Sequence, residues 1–556
     1  MLRPFRERLA DSRQAFASVF TNPDLRWIEL SWAGTVGAYW IFIVTLALYA
    51  YQRGGPAAVG FVALLRVLPS VIATPFGAVL GDRYPRERVI FAINLGRSVT
   101  IAAASLAIFA GAPAPIVYAL GSLMGLLQST FRPTQAALLP LLARSPQELT
   151  AANLVLITTE AVGIFLGPAV GGLLLAVTGI DTVFGITAAV FLLSAILLVR
   201  VRSTQAAEIE ARADGDLLRE VFAGYQTVLR DGRLRLVIGL YAWASLVGGA
   251  LNVLLVVTAL EVLDLGKAGI GFLNSAVGIG GLLGGVGALA LVGRARLASD
   301  FGIGVVILGV PIALIGIFPS TAAALLLLAV VGAGATVIDV SGVTLLQRVV
   351  PDEVLTRVMG VLQSLYVGTL GLGAVAAPGL IALFGNRGAL IATGAMPPVV
   401  AALTWRRLLA LDRTVQPPPA ELGLLRSIPM FRPLPAPTIE QLATELVSVH
   451  VPAGSDVVRQ GEEGDRFYVV SRGELDVSVD GTPGDRLHEG DSFGEIALLR
   501  DVPRTATVHA RTDVDLFALD RDAFITAVSG NPESAAAAQA VISGRLGSLN
   551  PGVPSV

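Results

Sequence analysis

Residues 493–508 place several side chains that could bind a small anionic ligand within one short stretch. The sequence there is Phe-Gly-Glu-Ile-Ala-Leu-Leu-Arg-Asp-Val-Pro-Arg-Thr-Ala-Thr-Val. Arg504 offers a guanidinium that can pair with an anion, and Glu495 offers a carboxylate that can accept a hydroxyl hydrogen bond. Gly494 would let the backbone approach a ligand closely. Further anion contacts are expected from backbone N–H groups at a helix start or tight turn, those of Ile496, Ala497 and Ala506.

This stretch resembles the phosphate-binding cassette of cyclic-nucleotide-binding domains, and residues 464–474 also resemble the β-roll of that family. The resemblance implies that Arg504 pairs with the cyclic phosphate and that Glu495 accepts the ribose hydroxyl. Thr505 resembles cGMP-binding and dual-specificity members, but a bacterial-looking chain would more often meet cAMP. We therefore expect cAMP first, with cGMP possible, as the regulatory ligand. The expected pocket consists of Phe493, Gly494, Glu495, Ile496, Ala497, Arg504, Thr505 and Ala506.

Composition separates the chain into two unlike parts. Hydrophobic residues make up 54% and charged residues 15%, whereas a soluble protein carries about 25% charge. Apolar runs fill residues 27–410, and acidic and polar residues concentrate after residue 411. The chain has no cysteine, which excludes disulfides and thiolate metal sites. Its 3 histidines lack metal-ligand spacing, and no basic block with interleaved aromatics indicates nucleic acid.

Apolar segments of membrane-spanning length recur along the first part, so the lipid bilayer is an expected partner. A long loop at about 202–233 divides twelve predicted spans into six and six. Arginines concentrate in one set of connections, which should be cytoplasmic. Both termini are then cytoplasmic in a multi-pass protein of the inner (plasma) membrane. The approximate spans are 27–51, 57–81, 89–110, 115–141, 152–178, 181–201, 234–260, 268–292, 301–318, 321–347, 357–384 and 387–410.

The six-plus-six layout resembles the major facilitator superfamily, and residues 77–88 strengthen the resemblance. They are similar to that family's loop motif after the second span, which acts as a conformational latch. Ala78 and Pro85 stand where glycines are usual. An alternative is that the arginines only set the topology. The latch residues would be Asp82, Arg83, Arg86 and Arg88.

A second motif lies in the fifth span, over residues 163–172. It resembles the antiporter motif of the same superfamily, with Gly163, Gly167 and Pro168 at the matching positions. A Gly-Pro pair kinks a helix, and small residues let membrane helices pack closely. The resemblance implies an exporter, and the alternative is ordinary glycine packing. The sequence of residues 131–140, together with that of 151–153, also resembles the corresponding sequences in the branch that contains drug and siderophore exporters.

Ionisable residues inside the spans cost roughly 2.5–3.5 kcal/mol each on insertion scales, so they usually face a cavity or a partner. Asp339 and Glu160 are the predicted proton or cation carriers. A structural pairing, such as Glu160 with Arg132, is an equally open alternative. The full set of such residues is Glu29, Arg66, Arg97, Arg132, Glu160 and Asp339.

The sequence therefore predicts an α-helical membrane protein with 12 transmembrane helices in two six-helix halves, followed by a cytosolic β-roll with flanking helices. The expected domains are a transporter domain over 1–410, a Pro-rich linker over 411–424 and a cyclic-nucleotide-binding domain over 425–556. The expected function is nucleotide-regulated secondary transport of a small apolar or amphipathic compound. A vestigial non-binding domain and a nucleotide-gated receptor or channel are the alternatives. The sequence contains no Walker-type phosphate loop and no group of residues typical of a catalytic site, so it does not indicate an enzyme.

Overall fold

The chain folds into two compact units, and the boundary in the sequence falls between Asp412 and Arg413. We call them the helical unit and the β-roll unit. The computed structural model describes residues 19–83, 85–201, 225–288, 296–350, 352–415 and 419–549.

Long helices account for almost all of the described helical unit. Helices α1 to α5 form helix group 1, and helices α6 to α10 form helix group 2. A short π-helical turn, Thr258–Val262, extends α6. The bounds are α1 (Pro23–Arg83), α2 (Arg86–Phe109), α3 (Ala114–Leu142), α4 (Pro146–Val177), α5 (Ile180–Leu198), α6 (Gly232–Val257), α7 (Gly266–Ala288), α8 (Leu297–Ile317), α9 (Thr321–Val349) and α10 (Asp352–Val415).

Glycines interrupt the two longest helices. In α1 the backbone leaves helical geometry at Gly54 and Gly55, where φ of Gly55 is +60°. In α10 it does so at Gly385, with φ +69°. Residues other than glycine adopt positive φ at a steric cost, so these positions suit a sharp reversal between two helical segments. Each long helix is therefore a pair of segments joined by a tight bend.

The described helices have the length and composition of membrane spans. Among the described residues, 9 helices are long and apolar enough to cross a bilayer, and α3 contributes a shorter apolar segment, Ala114–Gln128. Large apolar side chains such as Leu403 and Phe109 are more than three-quarters exposed, which suits contact with lipid. The chain is a multi-pass membrane protein.

The β-roll unit contains two four-stranded antiparallel sheets. One sheet has the order β1-β8-β3-β6 and the other β2-β7-β4-β5. Glycines with positive φ, such as Gly473 and Gly481, form turns between strands. Short apolar runs bounded by glycines predict strands around 457–458, 467–470 and 475–479, and all three strands are present. The bounds are β1 (Val447–Val451), β2 (Asp456–Val458), β3 (Arg466–Arg472), β4 (Leu475–Val479), β5 (Thr482–Leu487), β6 (Ser492–Phe493), β7 (Thr507–Ala510) and β8 (Val514–Asp520).

Helices flank the sheets and close one of the two cores of this unit. Phe467 stacks on Phe524 at 4.6 Å between ring centroids, and Phe431 packs edge-on against both rings. The Ala-rich sequence over 523–546 favours a helix, and the structure has two helices there. Gly530 caps the end of the first, and Asn531 caps the start of the second by accepting from Ser534 N at 3.0 Å. The helices are α11 (Pro419–Ser427), α12 (Ala436–Glu445), α13 (Glu495–Arg500), α14 (Arg521–Ser529) and α15 (Pro532–Leu549).

Candidate functional site

The candidate nucleotide pocket begins at a glycine that joins β6 to α13. Gly494 has φ +99°. A Cβ there would lie 2.7 Å from Arg504 Nη1 and 2.9 Å from Arg466 O. Both contacts are closer than real Cβ contacts, so only glycine fits between this turn and the guanidinium. The close neighbours of Gly494 are groups of the chain itself, so the expected close approach of a ligand to this residue stays a prediction.

Arg504 lies beneath this turn with only 4% of its surface exposed. Its Nη2 donates to Arg466 O at 2.8 Å and its Nη1 donates to Gly494 O at 3.3 Å. Its only carboxylate partner among the described residues is Asp465, at 3.3 Å, whose side chain is 74% exposed. A buried guanidinium with one loose, solvent-facing anionic partner retains the capacity to bind another anion.

Glu495 follows Gly494, whose carbonyl accepts from Arg504, and is 1% exposed. Its Oε1 accepts from Arg545 Nη1 at 2.7 Å, and Arg545 Nη2 also donates to Ser492 O at 2.6 Å. Its Oε2 is buried and accepts no hydrogen bond from any described residue. A buried carboxylate oxygen without a donor is costly, and a ligand hydroxyl would supply the missing donor.

Sequence reasoning missed Arg545, which lies 50 residues after Glu495 on α15. One signal was available, because Arg545 is the single basic residue between 522 and 556 and stands in an Ala-rich helix. It connects the last described helix directly to the cassette. Movement of α15 would therefore change the environment of Glu495.

Aromatic and apolar side chains form the wall of the pocket. Tyr468 stacks on Phe493 at 5.0 Å, with an interplanar angle of 14°, and its ring lies 5.8 Å from Arg504 Cζ. Burial raises the pKa of the Tyr468 phenol, so it stays neutral beside the arginine. Ile496 and Ala497 are buried. Thr505 and Ala506 are half-buried at the start of the segment that leads into β7.

The predicted carrier Asp339 contacts an aromatic residue of a different helix. Tyr241 of α6 donates a hydrogen bond from its hydroxyl to Asp339 Oδ1 on α9. Tyr241 also stacks on Phe301 and packs edge-on against Tyr366. Asp339 itself is exposed, so its carboxylate is accessible from one side. Glu160, the second predicted carrier, is half-buried on α4.

The predicted latch and the predicted pairing of Glu160 with Arg132 lie partly outside the part of the chain that the structure describes. Asp82 and Arg83 end α1, and the side chains of Asp82, Arg83 and Arg132 lie outside the described part of the structure. The proposed pairing of Glu160 with Arg132 therefore stays a prediction. On α2, Arg86 is half-buried and Arg88 is exposed.

The glycines of the antiporter-like motif pack α4 against α1. A Cβ on Gly163 would lie 2.3 Å from Val36 Cγ1, and one on Gly167 would lie 2.6 Å from Trp40 Cβ. Pro168 belongs to the other side of α4, where its carbonyl would lie 2.2 Å from a Cβ on Gly271 of α7. The motif thus connects the interior of helix group 1 with helix group 2.

Helix groups 1 and 2 contact each other near the ends that carry few arginines. Gly60 of α1 packs against Ala374 of α10, and Gly172 of α4 packs against Gly271 of α7, without room for a Cβ. At the same end, Glu261 accepts hydrogen bonds from Tyr51 of group 1 and Asn386 of group 2. One end of the interface between the groups is therefore closed by backbone-to-backbone packing and a polar connection.

Arg97 forms a separate buried polar cluster within helix group 1. It is 0% exposed and lies 4.5 Å from the Phe131 ring centroid. Its guanidinium donates to Gln128 Oε1 at 2.7 Å, Asn94 Oδ1 at 3.1 Å and Leu127 O at 3.3 Å. All of these acceptors are neutral, which the charge pattern of the sequence did not indicate.

Comparison with known proteins assigns each unit a different counterpart. Residues 30–298 match the family model described as the Major Facilitator Superfamily. Residues 448–531 match the model described as the cyclic nucleotide-binding domain. Neither model describes an enzyme.

Several known proteins are similar to part of this chain. A cAMP-dependent protein kinase regulatory subunit of Yarrowia lipolytica is 40% identical over 124 residues, 22% of this chain and 33% of that protein. Among solved structures, cAMP-bound PfPKA-R (141-441) is 25% identical over 24% of this chain and 47% of its own, with a TM-score of 0.22. The sensor domain of the transcriptional regulator DNR from Pseudomonas aeruginosa is 26% identical. The match covers 24% of this chain and 99% of the sensor domain, with a TM-score of 0.22.

The chain spans about a third of the length of this kinase subunit. It therefore joins a segment that matches the Major Facilitator Superfamily to a later segment that matches the cyclic nucleotide-binding domain.

Proposed function

We propose that this protein is a secondary active transporter whose activity is controlled by a cyclic nucleotide bound in the β-roll unit. The observation that carries the proposal concerns Arg504 and Glu495: Arg504 donates to the carbonyl of Gly494, the residue directly before Glu495. The Arg504 guanidinium has one loose anionic partner, and the Glu495 carboxylate has a buried oxygen that accepts from no described donor. These groups complement the anionic phosphate and the ribose hydroxyl of a cyclic nucleotide.

In the proposed complex, the cyclic phosphate displaces Asp465 from Arg504 and receives backbone N–H groups at the start of α13. The ribose hydroxyl donates to Oε2 of Glu495, while Arg545 continues to hold Oε1. The 40% identity to a cAMP-dependent kinase regulatory subunit supports cAMP as the first candidate. Thr505 keeps cGMP as the second candidate.

Calorimetric titration of cAMP and cGMP into the full-length protein in detergent tests nucleotide binding. We expect saturable binding near one nucleotide per chain. Arg504→Ala should weaken it by about tenfold to a hundredfold, because a charge-assisted hydrogen bond contributes roughly 1.5–3 kcal/mol. Arg511→Ala is the matched control, because Arg511 is an exposed arginine of the same unit. Absence of heat with either nucleotide would leave a transporter with a vestigial domain.

For the helical unit we propose twelve spans in two six-helix halves, an exporter of the drug and siderophore type, and alternating access between the halves. The glycine bends at Gly55 and Gly385 support this count, since each allows one long helix to serve as two spans. The contacts between helix groups 1 and 2 at the arginine-poor end support a conformation closed on that side. Arginine-rich loops between spans face the cytoplasm. Both termini therefore face the cytoplasm at the inner (plasma) membrane, and the open side is cytoplasmic.

We further propose that Asp339 and Glu160 carry the coupling proton or cation. Asp339 is accessible and holds one hydrogen bond, from Tyr241, as a site that gains and loses a cation requires. Counterflow and gradient-driven flux in proteoliposomes should lose their dependence on the proton gradient in Asp339→Asn and in Glu160→Gln. Full gradient dependence in both variants would remove the assignment.

Regulation requires that nucleotide bind two transport conformations with different affinity. Flux of a fluorescent amphipathic substrate into proteoliposomes, with and without cAMP on the β-roll side, measures this difference. We expect a change of severalfold that disappears in Arg504→Ala. Equal flux at all nucleotide concentrations, with binding intact, would show that the pocket senses nucleotide without controlling transport.

A further inference from the structure

A groove of about 580 Å³ runs between α6 and the last segment of α10 in the helical unit. It begins at the end of the helices where the arginines concentrate, and Arg235 and Arg407 lie at its entrance. Trp243 lies two turns deeper along α6. The groove surface between them includes Gly239 and Thr404.

The corresponding pair of helices in group 1 leaves no such space. There α1 and α5, the first and last segments of that group, touch directly. Ser31 Oγ donates to Ser194 O at 2.8 Å, and a Cβ on Gly34 would lie 2.5 Å from Ser194 Oγ. In group 2, a Cβ on Gly239 would meet no atom within 4 Å. The groove is thus a property of group 2 and not of every such helix pair.

Three polar groups of the groove have no partner among the described residues. Neither Arg235 nor Arg407 forms an ion pair or a side-chain hydrogen bond with any described residue, and both are exposed. The Trp243 indole N–H is buried and donates to no described acceptor. A guanidinium at the edge of a bilayer favours an anion, and a buried N–H favours an acceptor.

We propose that this groove binds an anionic phospholipid of the leaflet that faces the arginine-rich end. Arg235 and Arg407 bind the headgroup phosphate, and the acyl chains fill the groove alongside Gly239. Trp243 lies two turns, about 12 Å, further from the end, and its N–H donates to an ester carbonyl. Basic grooves between membrane helices bind anionic headgroups in this way. The site is independent of the proposed transport and of nucleotide binding.

Native mass spectrometry of the full-length protein with dioleoyl phosphatidylglycerol tests the proposal. We expect one retained lipid, and an apparent dissociation constant that rises at least tenfold in the double variant Arg235→Gln/Arg407→Gln. The charge-matched control is Arg233→Gln/Arg406→Gln, which changes two exposed arginines of the same two helices outside the groove. Its lipid affinity should stay within about twofold of the parent protein.

A second variant tests the groove without changing charge. Gly239→Phe should fold, because space surrounds that position, and it should displace the retained lipid. Retention of equal phosphatidylglycerol in all variants would overturn the site. Equal retention of dioleoyl phosphatidylcholine would also overturn the site, because the two arginines would then not favour an anionic lipid over a zwitterionic one. Saturation of the site by soluble glycerol 3-phosphate with the affinity of the lipid would show a free-phosphate site and overturn the lipid assignment.

Discussion

Arg504 of the β-roll unit and Arg97 of the helical unit are both buried, but their partners differ in kind. Arg504 donates to two main-chain carbonyls and to one exposed carboxylate at 3.3 Å. Arg97 donates to two side-chain amides and a carbonyl, and its nearest ring is that of Phe131. The first arginine keeps a replaceable anionic partner, whereas the second is held by neutral groups that no ligand needs to displace.

The difference indicates two uses of a buried charge. In the β-roll unit the charge is available for exchange, so binding of an anion there costs little rearrangement. In the helical unit the charge joins α2 to α3 and stiffens helix group 1. Neutral hydrogen-bond partners stabilise the guanidinium without fixing a second buried charge in the membrane. Variants of the two arginines should therefore affect different measurements.

Loss of Arg97 should have the largest effect on stability. Arg97→Ala removes the donor for Asn94 and Gln128 and leaves a cavity beside Phe131. We expect a loss of about 3–5 kcal/mol, from a buried large-to-small change with orphaned acceptors. Thermal unfolding of the detergent-solubilised protein measures it, while cAMP affinity should not change. Arg88→Ala, on the exposed side of α2, is the control, and equal unfolding temperatures for the two variants would contradict a stabilising role.

Charge removal at Glu495 should affect nucleotide binding more than stability. Glu495→Gln keeps the side-chain shape but weakens the pairs with Arg545 and with a ribose hydroxyl. We expect nucleotide affinity to fall about tenfold to a hundredfold, measured by calorimetry. Glu489→Gln, an exposed glutamate before β6, should bind as the parent does. If Glu495→Gln bound nucleotide normally, the ribose role of Glu495 would be wrong.

Local spacing explains how much of each region could be predicted from sequence. Gly494, Glu495 and Arg504 lie within eleven residues, so one short motif indicated the whole group. Arg545 is absent from that motif because the fold brings it in from 50 residues away. In the helical unit, Tyr241 and Asp339 are 98 residues apart, and Arg97 and Gln128 are 31 apart. Hydropathy predicts such helices well, but it does not state which faces meet.

The ends of the helices also depend on contacts that the sequence does not predict. The apolar pattern predicted spans near 27–51 and 57–81, and the structure places a glycine bend between them at Gly54 and Gly55. The pattern did not indicate that Asp412 caps α8, where its carboxylate accepts from Ala298 N at 2.8 Å and Ser299 N at 3.0 Å. This capping contact joins residues more than 110 positions apart, and only the packed helices bring them together.

A smaller effect is expected from the exposed partner of Arg504. Asp465→Asn removes the carboxylate that competes with a bound phosphate for the guanidinium. Because exposed ion pairs contribute little, affinity for cAMP should rise by only about twofold to threefold. Calorimetry at low ionic strength would show the increase most clearly. Asp485→Asn, an exposed change on β5, controls for net charge, and a loss of affinity in Asp465→Asn would mean that Asp465 positions Arg504 for binding.

The smallest effect concerns Asp456, an exposed carboxylate of β2 with partners on β7 and in the following turn. His509 Nδ1 lies 2.8 Å from its Oδ1, and Arg459 Nε donates to its Oδ2 at 2.9 Å. The hydrogen bonds from His509 and Arg459 hold the pKa of Asp456 below its ordinary value. Since the folded-state pKa is the lower one, this contact stabilises the β2–β7 pair above the ordinary pKa and is lost as the pH falls through the folded-state pKa.

Hydrogen exchange measured by mass spectrometry on the full-length protein, comparing parent and Asp456→Asn at one pH at a time, isolates this contribution. At about pH 6 the variant should open β2 and β7 roughly twofold more often, and the two proteins should converge as the pH falls through the folded-state pKa of Asp456. Strand β1, which pairs with β8 in the other sheet, should exchange equally in both. A difference that persists unchanged at the lowest pH would mean that the aspartate acts through its shape and not its charge. Either result sharpens the contrast with Arg97, whose neutral acceptors, Asn94 and Gln128, do not titrate in this range.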